Sequence, residues 1–359
     1  VMSSKRLVIV GGGISGLAAA YYAEKQFPEM NITLLEAEGR LGGKVATYRD
    51  EGLTIERGPD SYVARKHVLT DLIEEIGLGE QLVRNNTSQA YILDARGLHP
   101  IPKGAVMGIP TDLELFAETS LLTEEEKAEV SERLLHPAPD LTIPETDIPL
   151  GEYLRPRLGD ALVEKLIEPL LSGIYAGDID RMSTFATYPQ FVANEQKAGS
   201  LFEGMRLMRP LDQQQGPTLK ATGQFLSLAT GLESLVERLE EVLERTEIRL
   251  ETPLRSIERE EDGRYRLETD HGPEYADDIL LTIPHRQVVS LLPDATLPGL
   301  ANLSTHSTAT VTLIFDKETA LPIDGTGFIV NRRAPYSITA CTAIDQKWNH
   351  AAPNHTVLR

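Results

Sequence analysis

The chain has 359 residues, 41% hydrophobic and 25% charged, a composition typical of a globular protein with two or three domains. Its 35 basic and 54 acidic residues give a net charge of −19, which disfavours nucleic acid as a partner because phosphates would be repelled. The single cysteine cannot form an internal disulfide and favours a cytoplasmic protein, and no Cys and His residues have the spacing of a metal site. No apolar run reaches about 18 residues, so the sequence predicts no transmembrane segment.

The N-terminal residues predict a βαβ unit. Arg6–Val10 is a short β-branched apolar run typical of a buried parallel strand. A helix is predicted from Ile14 to about Lys25, and a second strand over Asn31–Glu36.

A glycine motif, Gly11-x-Gly13-x-x-Gly16, joins the first strand to the helix. Such glycines allow a tight turn, a close approach of backbone to a pyrophosphate, and close packing of helix on strand. The helix N-terminus then presents N–H groups to the phosphates. Glu36 lies 20 residues after Gly16, where a carboxylate accepts hydrogen bonds from ribose hydroxyls and repels a 2′-phosphate. The motif therefore predicts a dinucleotide other than NADP.

The following elements are shorter and are separated by stretches rich in Gly and Pro. In chain order we predict a helix over Leu69–Val83 interrupted by Gly77 and Gly79, a loop over 99–112, a helix from a Thr123/Glu126 capping box to about Leu135, a connector over His136–Pro149, and a helix over Leu158–Leu171.

A second region of helix and sheet begins near residue 225, after a polar and irregular stretch over Pro189–Leu219. It contains a predicted amphipathic helix, Leu232–Arg245, and predicted strands over 247–250, 254–259, 264–269, 279–282 and Thr308–Phe315. The N-terminal βαβ unit and this second region of helix and sheet are separated by a long intervening segment. This order predicts a discontinuous nucleotide-binding domain with an inserted substrate or cap region.

A second motif favours FAD over NAD. Glu36-x-x-x-Arg40-x-Gly42-Gly43-Lys44 resembles the signature of flavoproteins related to monoamine oxidases, phytoene desaturases and protoporphyrinogen oxidases. The glycines allow another close backbone approach, and Arg40 and Lys44 offer positive charge to a diphosphate. Gly58 and Pro59 predict a tight loop whose N–H groups can face the flavin ring.

Several independent blocks narrow the resemblance to the HemY-type porphyrinogen oxidases of Gram-positive bacteria. These blocks are Ile55–Ser61, Pro102–Pro110, Leu166–Asp180, and Thr339–Cys341 together with Lys347-Trp348. The similarity extends over nearly the whole chain.

The resemblance implies an α/β (α+β overall) fold with a Rossmann-like FAD-binding domain of the p-hydroxybenzoate-hydroxylase type. That domain is expected over 1–70 and 225–290, a substrate domain with a mixed sheet over 85–100, 183–224 and 291–359, and a helical domain over 101–182. Such proteins end with a further flavin-contacting glycine-rich turn. This chain stops at Thr356–Arg359, so we expect that segment to be missing.

The motifs and the resemblance together predict the site residues. For FAD they are Gly11, Gly12, Gly13, Ile14, Ser15, Gly16, Leu17, Glu36, Ala37, Arg40, Gly43, Lys44, Gly58, Pro59, Asp60, Ser61, Leu254 and Trp348. The resemblance implies that the Leu254 backbone meets the adenine and that Trp348, otherwise an ordinary core aromatic, lies beside the flavin. Gly173 and Ile174 either line the porphyrinogen cavity or only end a helix. Arg65, with Lys66, either anchors a propionate or starts a solvated helix.

The implied activity is oxidation of a porphyrinogen, either coproporphyrinogen III or protoporphyrinogen IX, in haem biosynthesis. Six electrons would leave in three FAD cycles, each with O₂ reduced to H₂O₂, and other haem-pathway enzymes are possible partners. The soluble, acidic composition favours coproporphyrinogen III. We assign no catalytic acid or base, because the cofactor carries the chemistry and no Ser/His/Asp constellation is apparent.

Two alternatives stay open: a flavin amine oxidase-like enzyme, and a non-catalytic FAD- or porphyrin-binding protein. The sequence does not indicate an oligomeric state.

Overall fold

The computed structural model describes residues 5–175, 177–209, 223–292, 298–319, 321 and 323–359. The chain divides into two compact units, each discontinuous in sequence. The first unit consists of Val1–Asn85, Gln224–Thr310 and His350–Pro353, and the second of Asn86–Gly223, Val311–Asn349 and Asn354–Arg359. The finer division into FAD-binding, substrate and helical domains stays a prediction.

A four-stranded parallel sheet forms the centre of the first unit. Its strands, in spatial order, are Glu247–Arg249, Asn31–Leu35, Arg6–Val10 and Asp278–Leu281. Val10 pairs with both Leu35 and Leu281, so the carboxyl ends of these strands lie level. The helix Ile14–Gln26 connects the two inner strands, as the βαβ pattern predicts. In parallel sheets of this kind, ligands bind at the carboxyl ends.

Three smaller antiparallel arrangements and several helices complete the first unit. The strands are Thr47–Asp50 with Leu53–Glu56, Leu254–Arg259 with Tyr265–Thr269 and Gly272–Ala276, and Phe225–Leu228 between Tyr62–Val63 and Leu82–Arg84. The helices are His67–Glu75, the 3₁₀ turn Gly79–Gln81, Glu233–Val242, His285–Leu291 and Pro298–Ala301. Ile9, Leu17 and Leu34 are fully buried in the core between sheet and helices.

The second unit combines a mixed sheet with a helical core. The sheet has the order Ala340–Thr342, Gly327–Val330, Tyr91–Asp94, Gly97–Pro100, and its inner pair is parallel. Two further strand pairs are Ala105–Val106 with Ile109–Pro110 and Leu313–Asp316 with His355–Leu358. The helices are Leu113–Ala117, Glu124–Leu135, Leu150–Leu158, Asp160–Leu162, the π-helical Val163–Ile167, Glu168–Tyr175, Thr184–Thr187, Pro189–Ala198, Leu201–Leu207 and Ile344–Lys347. Phe116, Tyr153 and Phe191 are fully buried among them.

The predicted helix over Leu69–Val83 is wrong in extent. The helix runs from His67 to Glu75, and the residues that follow form a 3₁₀ turn and the strand Leu82–Arg84. Gly77 terminates the helix: it has a φ of 84°, and its N–H donates to the Glu74 carbonyl, three residues back, at 3.0 Å. Pairing of Leu82–Arg84 with a strand distant in sequence then outweighs local helical propensity.

Two further regions contain more helix than the sequence predicts. The helix predicted over Leu158–Leu171 begins at Leu150, breaks at Gly159 with φ at 81°, and resumes to Tyr175. The irregular stretch predicted over Pro189–Leu219 instead contains the helices Pro189–Ala198 and Leu201–Leu207, and its residues 210–219 lie outside the described part. Pro189 at the first helical position and Gly199 in the left-handed conformation at the end are ordinary helix signals that the polar composition obscured.

Two further predictions need correction. The strand predicted over Thr308–Phe315 covers only Leu313–Asp316. The loop predicted over 99–112 begins inside the strand Gly97–Pro100 and includes the short strands of the Ala105–Pro110 hairpin. In both cases the pairing partner, and not local composition, decides where a strand lies.

The predicted capping box is confirmed and is joined to a more distant cation. The Glu126 N–H donates to Thr123 Oγ1 at 3.3 Å, and the Thr123 N–H donates to Glu126 Oε2 at 2.9 Å. Lys165 Nζ donates to both Glu126 oxygens at 2.7 Å. Partial burial alone would raise the pKa of Glu126, but the bonds from Lys165 and Thr123 outweigh it and leave the pKa lowered.

We expect Glu126→Gln to lower the free energy of unfolding at neutral pH by about 1 kcal/mol. Because the pKa of Glu126 is lower in the folded state, its contribution is fully present above the ordinary value of 4.5 and is lost as the pH falls through the folded-state pKa. Denaturant unfolding of both proteins from acid to neutral pH measures this. Glu124→Gln is the control, since it removes an exposed first-turn carboxylate that pairs with Lys127 of the same helix. An equal loss in both variants would show that the capping box and Lys165 add nothing beyond what any first-turn carboxylate contributes.

Candidate functional site

The glycine turn at the carboxyl end of the first strand leaves space for a ligand at only one of its glycines. A Cβ on Gly16 would lie 1.9 Å from the Gly11 carbonyl oxygen, so the helix packs directly on the turn. A Cβ on Gly13 would meet no described atom within 4 Å, and Gly13 has an ordinary φ of −72°. The fold itself therefore requires Gly16, whereas Gly13 borders open space at the start of the helix.

The first turn of the helix Ile14–Gln26 supplies donors to that space. The Leu17 N–H closes the first helical hydrogen bond, to the Gly13 carbonyl at 3.0 Å. The amides of Ile14, Ser15 and Gly16 precede it and have no acceptor within a regular helix. Ser15 is exposed, whereas the Leu17 side chain is buried in the core. The donors, the dipole and the open Gly13 fit a diphosphate.

Glu36 is buried beside this turn, at the end of the second strand. Its Oε2 accepts the Gly12 N–H at 2.7 Å, and its Oε1 accepts the Glu38 N–H at 2.8 Å. Both bonds fix the carboxylate, and each oxygen retains a lone pair for a further donor. The geometry fits the predicted bond to a ribose hydroxyl. The neighbouring Ala37 is exposed.

The second motif lies against the glycine turn. The Gly42 N–H donates to the Gly12 carbonyl at 2.8 Å, and a Cβ on Gly43 would lie 3.3 Å from Gly13 Cα. The structure thus brings together two glycine pairs that are separated in sequence by about 30 residues, which include the helix Ile14–Gln26 and the strand Asn31–Leu35.

Arg40 has a role that the sequence did not indicate. Its guanidinium donates to the carbonyls of Leu41, Gly43 and Val45, at 3.0, 2.5 and 3.2 Å. It therefore stabilises the loop that contains the second glycine pair. Lys44 is exposed. A contact of either cation with a diphosphate stays a prediction.

The predicted flavin loop Gly58–Ser61 continues the same arrangement. The Arg57 N–H donates to the Ala46 carbonyl at 2.8 Å, and a Cβ on Gly58 would lie 1.9 Å from the Lys44 carbonyl oxygen. Ser61 Oγ donates to Asp60 Oδ1 at 2.9 Å, and Pro59 is exposed. The second motif therefore contacts the glycine turn on one side and the flavin loop on the other.

Leu254 reaches the same end of the sheet from the other half of the first unit. The Thr252 N–H donates to the Glu36 carbonyl at 2.8 Å. Leu254 packs against the buried cluster that includes Val8, Val10 and Leu35 of the inner strands. A contact of Leu254 with the adenine stays a prediction.

The remaining predicted residues lie elsewhere. Arg65 is exposed just after the strand Tyr62–Val63 of the first unit. Trp348 belongs to the second unit, is buried, and has Lys347 Nζ 5.4 Å from its ring centroid. Gly173 and Ile174 also belong to the second unit, in the helix Glu168–Tyr175, and the surroundings of both residues lie outside the described part.

The structure brings together a serine, a histidine and an aspartate that sequence spacing did not reveal. In the second unit, His99 Nδ1 lies 3.0 Å from Ser120 Oγ and Nε2 lies 3.1 Å from Asp94 Oδ1. The sequence hides this group because Ser120 follows His99 by 21 positions. The adjacent Leu121 N–H donates to Thr119 Oγ1 at 3.2 Å, so it does not offer an oxyanion donor. We therefore assign the group to joining the strand Gly97–Pro100 to the turn before the capping box, and still assign no catalytic residue.

The residues that the structure describes contain neither a metal-binding cluster nor a membrane-spanning helix. They contain no group of three or more His, Cys, Asp or Glu side chains able to hold a metal ion. None of their helices combines the length and apolar character needed to span a bilayer.

Comparison with known proteins places the chain in a family of flavin-containing oxidoreductases. The model of the family described as flavin containing amine oxidoreductase matches residues 14–358. Coproporphyrinogen III oxidase of Bacillus subtilis (strain 168) is 45% identical over 365 residues, which cover 99% of this chain and 76% of the relative. The Staphylococcus aureus (strain NCTC 8325 / PS 47) protein of the same name is 37% identical, over 99% of this chain and 77% of the relative.

Solved structures agree. A crystal structure from Exiguobacterium sp. 255-15, described provisionally as a protoporphyrinogen oxidase, is 80% identical with a TM-score of 0.92 and covers 100% of this chain and 77% of that one. A putrescine oxidase variant, at 17% identity and a TM-score of 0.62 over 99% of this chain and 74% of that one, shows the shared fold alone. Because the family match extends over nearly the whole chain and the glycine turn fits a dinucleotide, this chain belongs to the flavin-containing amine oxidoreductase family and its cofactor is FAD.

Proposed function

We propose that this protein oxidises a porphyrinogen to the porphyrin in haem biosynthesis, with FAD as the electron acceptor and O₂ as the final oxidant. One observation carries the proposal: the two curated relatives described above carry the name coproporphyrinogen III oxidase and align with 99% of the chain. The same name favours coproporphyrinogen III over protoporphyrinogen IX as the substrate.

The residues of the first unit have positioning roles in this proposal. The first-turn amides of the helix Ile14–Gln26 and the open space at Gly13 would hold the diphosphate, and Glu36 would accept a hydrogen bond from a ribose hydroxyl. The loop Gly58–Ser61 would face the flavin. FAD, when bound, supplies the two-electron chemistry. The chain would supply orientation, and we assign no residue of the chain to the accompanying proton transfer.

The purified protein loaded with FAD tests the proposal directly. In air, we expect coproporphyrinogen III to give fluorescent coproporphyrin III with three H₂O₂ formed per porphyrin, since six electrons leave in pairs. Absence of both products from a protein that retains FAD would contradict the proposal. A primary amine oxidised in its place would identify an amine oxidase, and bound porphyrin without peroxide would identify a binding protein.

The space at Gly13 gives a second prediction. Gly13→Ala places a methyl group where the diphosphate is expected, so we expect FAD affinity to fall about a hundredfold or more. The melting temperature of the apoprotein should stay close to that of the wild type, because the methyl meets no described atom within 4 Å. Fluorescence titration with FAD and thermal unfolding measure the two quantities.

Gly16→Ala is the matched control for Gly13→Ala. Its methyl would clash with the Gly11 carbonyl oxygen at 1.9 Å, so we expect the apoprotein itself to be destabilised. A Gly13→Ala protein that binds FAD as tightly as the wild type would exclude the diphosphate from this position.

Arg65 gives a prediction about the substrate. If its exposed guanidinium binds a propionate, Arg65→Ala should raise KM for coproporphyrinogen III about three- to tenfold and leave kcat unchanged. Arg286, an exposed arginine on the helix His285–Leu291, provides the control substitution Arg286→Ala. An unchanged KM in Arg65→Ala would remove Arg65 as an anchor.

A further inference from the structure

A buried carboxylate lies at the start of the predicted flavin loop and has no part in the chemistry described so far. Glu56 is the last residue of the strand Leu53–Glu56, and only Arg57 separates it from the loop Gly58–Ser61. Glu56 is buried, with only 8% of its surface exposed to solvent. Charged side chains are rarely buried to this extent unless they are held by specific partners.

Each oxygen of the Glu56 carboxylate accepts a hydrogen bond. Oε1 accepts the Leu232 N–H at 2.7 Å, and Oε2 accepts the Thr47 hydroxyl at 2.8 Å. The Thr47 hydroxyl in turn accepts the Glu233 N–H at 3.1 Å, and the Thr47 N–H donates to Glu233 Oε2 at 2.8 Å. Glu56 therefore joins the strand that leads into the flavin loop to a segment about 180 residues away in sequence.

That segment is the N-terminus of the helix Glu233–Val242. Leu232 precedes the helix and its apolar side chain cannot accept a hydrogen bond. The Glu56 carboxylate supplies the acceptor, at the end of the helix where the dipole favours a negative charge. Gly231 permits the approach, since a Cβ there would lie 2.3 Å from Thr47 Cγ2.

The arrangement fixes the loop in position. The Arg57 N–H bond to the Ala46 carbonyl and the close packing of Gly58 on Lys44 hold the loop from one side. The hydrogen bonds of Glu56 connect the start of the loop to the N-terminus of the helix Glu233–Val242. Burial raises the pKa of Glu56, so keeping a carboxylate here costs stability, and its retention fits a role in placing the loop.

We infer that Glu56 is a positioning residue for FAD, acting through Thr47 and the N-terminus of the helix Glu233–Val242 to fix the loop Gly58–Ser61. The inference rests on the proposed function, because it takes that loop to contact the flavin. It assigns Glu56 no contact with substrate or cofactor.

Three variants test the inference on the full-length protein. Glu56→Gln removes the charge, Thr47→Val removes the bridging hydroxyl while leaving Glu56 intact, and Thr47→Ser keeps the hydroxyl. Apoprotein titrated with FAD should show about tenfold weaker binding for Glu56→Gln and Thr47→Val, and near wild-type binding for Thr47→Ser. The visible circular dichroism of bound flavin should change in the two weak binders, because the ring environment is less fixed.

Thr184→Val is the matched control for Thr47→Val. Thr184 is fully buried in the second unit and its hydroxyl donates to the Ile148 carbonyl at 2.7 Å. We expect it to lower stability without weakening FAD binding. An equal loss of FAD affinity in this control would assign the effect to general destabilisation and overturn the inference.

Other outcomes are equally decisive. FAD affinity within twofold of wild type in both Glu56→Gln and Thr47→Val would overturn the inference, and so would failure of both to fold, since the network would then hold the whole unit and not the loop. A wild-type protein that binds FAD but oxidises no porphyrinogen would contradict the proposed function and leave the Glu56 result to be judged on affinity alone.

Discussion

The close contact between the helix Ile14–Gln26 and the end of the first strand is the constraint on which the site depends. A side chain at Gly16 would lie 1.9 Å from the Gly11 carbonyl oxygen, so the helix can start here only if that position has none. This contact aims the first helical turn at the carboxyl edge of the parallel sheet. The level ends of the neighbouring strands then bring Glu36 to the same edge.

The site shows how a strongly acidic protein can bind an anionic cofactor. The net charge is −19, and Arg40 of the second motif donates to carbonyls of its own loop. Backbone amides and the helix dipole act at short range and can attract a diphosphate without a basic surface. Arg40 contributes indirectly, because it stabilises the loop that lies against the glycine turn.

Buried polar side chains in both units join elements that are distant in sequence. Glu56 connects the flavin loop to a helix of the second half of the first unit. In the second unit, the Arg157 guanidinium and the Tyr153 hydroxyl both bond to the buried Glu195 carboxylate, at 2.9 and 2.6 Å. Such groups are costly to bury and therefore favour the one arrangement in which all of them are satisfied.

The sequence alone determined the βαβ unit, the dinucleotide motif and the preference for FAD, because each depends on local spacing. Gly11, Gly13, Gly16 and Glu36 stand at fixed intervals that a strand, a turn and a helix convert directly into geometry. Local signals also predicted the capping box at Thr123. They failed where strands such as Leu82–Arg84 are stabilised by partners far along the chain, and where polar composition obscured the helices after Pro189.

Only the tertiary structure decided which side chains act together. The sequence predicted a diphosphate contact for Arg40 but did not reveal its three carbonyl acceptors within its own loop. It gave no sign that Glu56 meets Thr47 and Leu232, or that Ser120, His99 and Asp94 form a group. These contacts depend on the packing of elements tens to hundreds of residues apart, and no local pattern of residue types encodes which buried groups will meet.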